Sequence, residues 1–299
     1  MTVTASPRRG GLSPSAKSPR PGLKRGVKSY LKPQSQSNPP LLLSSFLNFY
    51  RTSESQDHLS DLARSGACPL PKWPKHLVIV RHAESERNVW KDIATAKGDF
   101  IYGGETRDID VGLTETGERQ AAATGKALGE QFQFNCLFVS PFRRTIHTAQ
   151  ILVEQFPYPL TLIEDDRLRE IDFGVLDGLT KHGIAHFQSG EMQRRARLGK
   201  YHHRPPGGEN YPDVALRLHS FLGTLTRETA GKSVLVVCHS VVVLIFRKLL
   251  ERLLEKQILA IDSDKTQEVQ NCSVTHYAFD ANTGTQGKLV LQDFNRIYY

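Results

Sequence analysis

The chain has 299 residues and a formal net charge of +8, from 39 Lys and Arg against 31 Asp and Glu, but residues 1–75 carry 12 basic side chains against three acids, Glu54, Asp57 and Asp61. The remaining body holds 27 basic and 28 acidic residues, so the surplus describes the N-terminal segment, and no nucleic-acid partner is expected for the body. No run of 18 apolar residues is present to span a bilayer, and four widely spaced cysteines without a Cys-x-x-Cys pair argue against a disulfide framework or a zinc site.

Residues 1–40 are dense in Ser, Pro, Gly, Lys and Arg and contain no acid. Such a segment is too polar to bury a core that would offset its ordering entropy. Residues 1–72 are therefore read as a disordered basic Ser/Pro-rich tail, with an organelle transit peptide as the alternative. Within it, residues 41–50 (LLLSSFLNFY) suit a short helix, either a docking turn or part of a targeting peptide. Ser6, Ser13 and Ser18 each precede Pro among basic residues, a weak phosphorylation pattern. The reducing compartment implied by the cysteines is the cytoplasm unless the leader directs the chain to an organelle.

The folded domain is placed at 73–299. Residues 76–80 (HLVIV) form a short β-branched run ending in Arg81-His82, the pattern of a buried parallel strand. Thr114 can cap a helix running through Ala127, and residues 134–139 predict a second strand ended by Ser140-Pro141. A helix over 145–156 and a short strand over 160–164 follow. After Pro205-Pro206-Gly207-Gly208, an amphipathic helix over 211–227 places Val214, Leu218, Phe221 and Leu225 on one face. Residues 233–238 (SVLVVC) are a third strand running into His239 and a helix through Leu254. Strand-like runs at 273–279 and 288–294 flank a turn-rich segment and predict a hairpin. Strands alternating with helices imply an α/β fold: a three-layer α/β/α sandwich with a mostly parallel central sheet.

In an open parallel sheet, ligands bind outside the carboxyl ends of the strands. The polar residues just past those ends are Arg81 and His82, Ser140 with Arg143 and Arg144, and His239. Two histidines and several arginines converging on one crevice suit an anion, with phosphate the foremost candidate. The run Arg194, Arg195, Arg197, Lys200, His202, His203 and Arg204 is the body's most basic patch, either a solvated helix face or a substrate-attracting rim.

Five ordered strings carry a resemblance: RHAESERN at 81–88, SPFRRTIHTA at 140–149, LREIDFGVLDG at 168–178, PPGGENYPDVALRL at 205–218 and VVCHS at 236–240, with NCSVT at 271–275 before the hairpin. Together they resemble the histidine phosphatase superfamily, of phosphoglycerate mutase-like fold, over essentially all of 76–299. The resemblance implies that His82 accepts the phosphoryl group, and that Arg81, Arg144 and His239 stabilise its charge. It also implies that Glu170 is the proton donor and then the base, and that Asn88 adds a neutral donor. No metal or cofactor is implied. Two features depart from the family pattern: Ala83 stands where Gly usually follows the histidine, and Ser240 follows the second histidine.

Residues 200–211 look like the corresponding stretch of fructose-2,6-bisphosphatases, with Arg204 on one of their sugar-phosphate-binding arginines. Gly207, Ser240 and Leu244 replace further donors of that group, which disfavours its substrate. Cofactor-dependent mutases carry Glu-Arg-His-Tyr-Gly where this chain reads Glu170-Ile171-Asp172-Phe173-Gly174. The expectation is a phosphomonoester hydrolase acting on a small phosphorylated metabolite through a His82 phosphoenzyme. The alternatives are a phosphoglycerate-type mutase and a non-catalytic scaffold with a basic binding tail. Oligomeric state is not indicated.

Overall fold

The structure is a computed structural model that describes residues 71–299. The disordered-tail or transit-peptide reading of 1–72 and the short helix at 41–50 lie, but for its last two residues, outside them. Six strands form one sheet: β1 (His76–Arg81), β2 (Cys136–Val139), β3 (Leu162–Glu164), β4 (Ser233–Cys238), β5 (Val274–Asp280) and β6 (Lys288–Arg296), in the order β3-β2-β4-β1-β5-β6. The β1–β4, β2–β4 and β2–β3 pairings are parallel, while β5 runs antiparallel to both β1 and β6.

The helices are α1 (Glu86–Lys97), α2 (Glu115–Gln131), α3 (Arg143–Glu154), α4 (Lys181–Phe187), α5 (Ser189–His202), α6 (Tyr211–Glu228), α7 (Ser240–Leu250) and α8 (Glu255–Ser263). Because successive strand residues face opposite sides of a sheet, each strand supplies two cores. Val78, Val80, Leu137, Val139, Leu235 and Val237 pack with Ala121 and Leu128 of α2 and Ala149 and Leu152 of α3. Leu77, Ile79, Phe138, Val234 and Val236 pack with the α6 face of Val214, Leu218, Phe221 and Leu225 and with α7. Helices on both faces of a sheet with three parallel pairings make the three-layer sandwich that the strand and helix order predicts.

Local signals set the ends of these helices. Thr114 accepts a hydrogen bond from the Gly117 N–H at 3.0 Å and caps α2. Asn210 and Asp213 bond each other's backbone N–H groups in a capping box at the start of α6. The helix expected to run through Leu254 ends at Leu250, because Arg252 adopts a left-handed φ of 56° and α8 begins afresh at Glu255. Helix α1 was not expected from the sequence, since its only fully buried residue is Ala94 and its apolar stripe is thin.

Among the described residues, no helix is long and apolar enough to cross a membrane. Phe221 is fully buried and packs edge-on against Phe138 and Phe246, at 5.3 and 6.0 Å between ring centroids. Replacing it by Ala opens a cavity between the sheet and α7, and urea denaturation of Phe221→Ala is expected to read a loss of about 3–5 kcal/mol.

Candidate active site

The register of the central strands assembles the site. Arg81 of β1 lies opposite Cys238 of β4, so the residues that follow them, His82 and His239, emerge side by side. The His82 N–H donates to the Cys238 carbonyl at 2.8 Å, and the two imidazole centroids are 5.3 Å apart. On the other flank of β4, Val139 pairs with Val237, which brings Ser140 to the same end. The Ser140 hydroxyl lies 2.8 Å from His239 Nε2. All three side chains are buried.

His82 Nδ1 is 2.7 Å from the Ala83 carbonyl oxygen. A carbonyl only accepts, so Nδ1 carries the proton and Nε2 is left with its lone pair. Burial, reinforced by the nearby charges of Arg144 and Arg81, holds the pKa of His82 well below the usual imidazole value. His239 is lowered in the same way, by burial first and then by Arg144, His82 and Arg81. Ala83 takes the family's glycine position without strain: it is fully buried, and its N–H donates to Thr148 Oγ1 at 3.1 Å.

Arg81 is anchored by Nη1, which donates to the Val269 carbonyl at 2.5 Å, while its buried Nε has no partner. Arg144, in the first turn of α3, is buried beneath the same strand ends, whereas its neighbour Arg143 is exposed. His239 Nδ1 is likewise buried without a partner. Unsatisfied buried polar atoms are rare because each costs about 1–3 kcal/mol. Two of them at the strand ends, beside two guanidinium groups, describe a receptacle for an anion.

Glu170 comes from the loop after β3. Removal of water from around its carboxyl raises its pKa, outweighing the opposing effects of the Ile171 N–H and the charges of Arg144 and Arg81. The Ile171 N–H donates to Oε1 at 3.0 Å, and the Ser240 hydroxyl approaches Oε2 at 3.4 Å from the start of α7. The loop is clasped to the Pro-Gly segment before α6: Val175 N–H donates to the Pro206 carbonyl at 3.0 Å and Glu209 N–H to the Asp172 carbonyl at 2.8 Å. Gly174 sits at the closest approach with φ of +51°, where a Cβ would lie 2.2 Å from the Pro206 oxygen. Arg217 of α6 ties the loop from below, donating to the carbonyls of Arg167 at 2.6 Å and Glu170 at 3.3 Å.

Five of the residues singled out from the sequence, Arg81, His82, Arg144, Glu170 and His239, are thus linked by mutual contact or charge. Asn88 connects to His82 through Asn271, whose Nδ2 donates both to the His82 carbonyl and to Asn88 Oδ1. Asn88 Oδ1 accepts from the Ser85 N–H, the Ser85 hydroxyl and Asn271 Nδ2 at 3.0, 2.8 and 3.2 Å, which leaves the amide NH2 free to donate. Arg204 is directed elsewhere: it is exposed and bonds Asp213 in the first turn of α6.

Sequence reasoning missed Arg87, Asp108, Arg217 and the role of Asn271, whose Nδ2 also donates to the His82 carbonyl at 3.2 Å. Arg87, Arg217 and Asn271 each lie within one of the quoted strings, which was the signal available for them. Asp108 lies outside the strings, in a charged stretch that reads as solvated surface.

The family model described as histidine phosphatase superfamily (branch 1) matches residues 77–291, and the chain belongs to that superfamily. A 2,3-bisphosphoglycerate-dependent phosphoglycerate mutase of Rhizobium rhizogenes is 34% identical over 190 residues, covering 62% of this chain and 84% of the mutase. One from Cytophaga hutchinsonii is 33% identical over 165 residues, covering 54% and 71%. Among solved structures, a mycobacterial glucosyl-3-phosphoglycerate phosphatase in complex with VO3 superposes with a TM-score of 0.58 at 26% identity, covering 74% of this chain and 99% of that one.

Since Gly174 both needs its left-handed φ and touches the Pro206 carbonyl, Gly174→Ala must move one loop away from the other. The expected result is a stability loss of about 1–3 kcal/mol in urea denaturation. A larger proportional fall in kcat than in KM on an alkyl phosphate such as glycerol 2-phosphate should accompany it.

Proposed function

We propose that the protein is a phosphomonoester hydrolase that works through a phosphohistidine on His82, with Glu170 as general acid and then general base. The observation that carries this reading is the pairing of a tautomer-fixed neutral imidazole with a carboxyl of raised pKa at one anion-binding strand end. His82 Nε2 attacks phosphorus in line, the ester P–O bond breaks, and Glu170 gives its proton to the departing alkoxide. The ionised Glu170 then takes a proton from water as the water attacks phosphohistidine, which releases phosphate and restores both groups. Arg81, Arg144, His239 and the Asn88 amide are the charges and donors available to the equatorial oxygens.

The acid and the nucleophile must be neutral together, which fixes the sign of the pH dependence. The kcat/KM rises with pH as His82 loses its proton, at a pH below the usual imidazole value, and falls as Glu170 loses its proton, at a pH above the usual carboxyl value. Glu170→Gln should abolish the alkaline limb and cost about 10²–10⁴-fold on an alkyl phosphate. On 2,4-dinitrophenyl phosphate, whose leaving group needs no proton, the first step should be spared and phosphohistidine should accumulate. His82→Ala should form no acid-labile phosphoenzyme; turnover surviving in that variant would sink the mechanism.

The sequence relatives support a second reading, a phosphoglycerate-type mutase. A mutase must keep its phosphoenzyme and bisphosphate from water. Here the loop that carries Glu170 presents Phe173 and Val175 to solvent, 44% and 43% exposed, which favours hydrolysis. With 3-phosphoglycerate as substrate and 2,3-bisphosphoglycerate added as primer, the expected product is inorganic phosphate; 2-phosphoglycerate in its place would establish the mutase. Residues 1–72 lie outside the stretch shared with the family, and their proposed bearing is on address, cytoplasmic or organellar, or on partners rather than on chemistry.

A further inference from the structure

The Arg144 guanidinium is held in a way the phosphoenzyme chemistry alone does not require. A guanidinium has five N–H donors. Asp108, in the 3₁₀ turn Asp108–Asp110, takes three of them: Nη1 donates to its carbonyl oxygen at 2.7 Å and to Oδ1 at 2.9 Å, and Nη2 donates to Oδ2 at 3.3 Å. Phe142 covers one flat face, with its ring centroid 4.6 Å from Cζ. The Nε hydrogen and the second Nη2 hydrogen remain, both on one edge of the plane and parallel to each other.

Asp108 is itself pinned. Arg87 Nε lies 2.9 Å from Asp108 Oδ1, and Arg87 Nη2 reaches Asp177 Oδ1 at 2.5 Å, just beyond the Glu170 loop. The Arg87 guanidinium rests over the Tyr102 ring at 5.1 Å. Charges therefore alternate along Arg144, Asp108, Arg87 and Asp177. Two guanidinium groups share the Asp108 carboxylate, so it fixes Arg144 without neutralising the pair.

We propose that Asp108 is a positioning residue for phosphoryl transfer: by occupying the outer end of Arg144, it presents the Nε and Nη2 edge as a side-on fork for two oxygens of the transferring group. The inference rests on the phosphoenzyme reading above and names a residue outside the family strings. A planar fork discriminates by angle, so its benefit is greatest for the trigonal oxygens of the transition state, and a tilt is felt there first.

The test compares orthovanadate, which adopts trigonal-bipyramidal geometry, with tetrahedral orthophosphate, each titrated by calorimetry into the full chain. Asp108→Asn should weaken orthovanadate by about 10–100-fold and orthophosphate by less, and should lower kcat on p-nitrophenyl phosphate while KM moves little. Arg107→Gln, which removes the exposed Arg107 to Asp110 ion pair of the same turn without touching Asp108, should keep orthovanadate affinity within about threefold. Orthovanadate affinity within about threefold of wild type in Asp108→Asn overturns the proposal, as does a loss in Arg107→Gln equal to that in Asp108→Asn.

Thermal unfolding accompanies each titration. Should Asp108→Asn not fold, Asp108→Glu carries the same test, because it keeps the charge but lengthens the arm by one methylene. A selective orthovanadate loss of about tenfold supports positioning, and unchanged binding overturns it. These titrations need no turnover, so a wild type without phosphohistidine would defeat the phosphoenzyme reading while the Asp108 result still stands or falls by itself.

Discussion

The parallel ladder between β1 and β4 is the constraint on which the site depends. Its register sets Arg81 against Cys238, and therefore His82 beside His239. A slip of one residue would turn every side chain of β1 to the opposite face. Val78 and Val80 would then exchange layers with Leu77 and Ile79, and His82 would leave the crevice. That slip is prevented from both sides, because each face of the strand is buried against its own pair of helices. The chemistry at the strand ends is thus held in place by apolar packing below it, where no polar residue is needed.

Burial acts on the site in two opposite senses. It disfavours the charged form of any group, so it lowers the pKa of His82 and His239 and raises that of Glu170. An arginine is far harder to neutralise under the same conditions, since a guanidinium is the strongest base among the side chains, although burial lowers the pKa of Arg81 as well. One desolvated crevice therefore favours the neutral forms of the proposed nucleophile and the proposed acid, beside guanidinium cations. Burial first and the cations second disfavour protonation of His82, and the cations' charge is available to a phosphoryl group when it arrives. The net charge of the whole chain says nothing of this, because the surplus lies in residues 1–75, while Arg81 and Arg144 stand at the strand ends of a body that is near neutral.

What was legible in the sequence follows from how local each determinant is. Continuous β-branched runs such as 76–80 and 233–238 announce buried parallel strands, and a polar residue directly after such a run lies at the ligand end of the sheet by geometry alone. The α6 stripe of Val214, Leu218, Phe221 and Leu225 was equally plain, and all four side chains are fully buried. The break between α7 and α8 was hidden because a left-handed Arg252 leaves no glycine to mark it. Helices α4 and α5 have few buried residues, Gly183 and Tyr201 respectively, so they lack a periodic apolar face. Arg87, Asp108 and Arg217 gain meaning only from partners distant in sequence. Arg204, placed by analogy of one segment, turns to Asp213 on α6 instead.

Resemblance to mutases in sequence and to a phosphatase in structure is less contradictory than it looks. Both kinds of enzyme fit the phosphoenzyme half-reaction proposed above, and Arg81, His82, Arg144, Glu170 and His239 are the groups proposed to carry it. Similarity at the level of the superfamily therefore does not separate the two outcomes. The outcomes diverge only after the alcohol leaves, when Glu170 activates either water or a second hydroxyl. What decides is the surroundings of Glu170, namely the loop clasped by Gly174 to Pro206 and carrying Phe173 and Val175 outward. The Glu170 carboxyl is itself desolvated, but Phe173 and Val175 beside it face solvent, so water at the mouth of the crevice competes with metabolite hydroxyls held near KM values of about 1 μM–1 mM. Unless binding energy is spent on excluding that water, hydrolysis prevails.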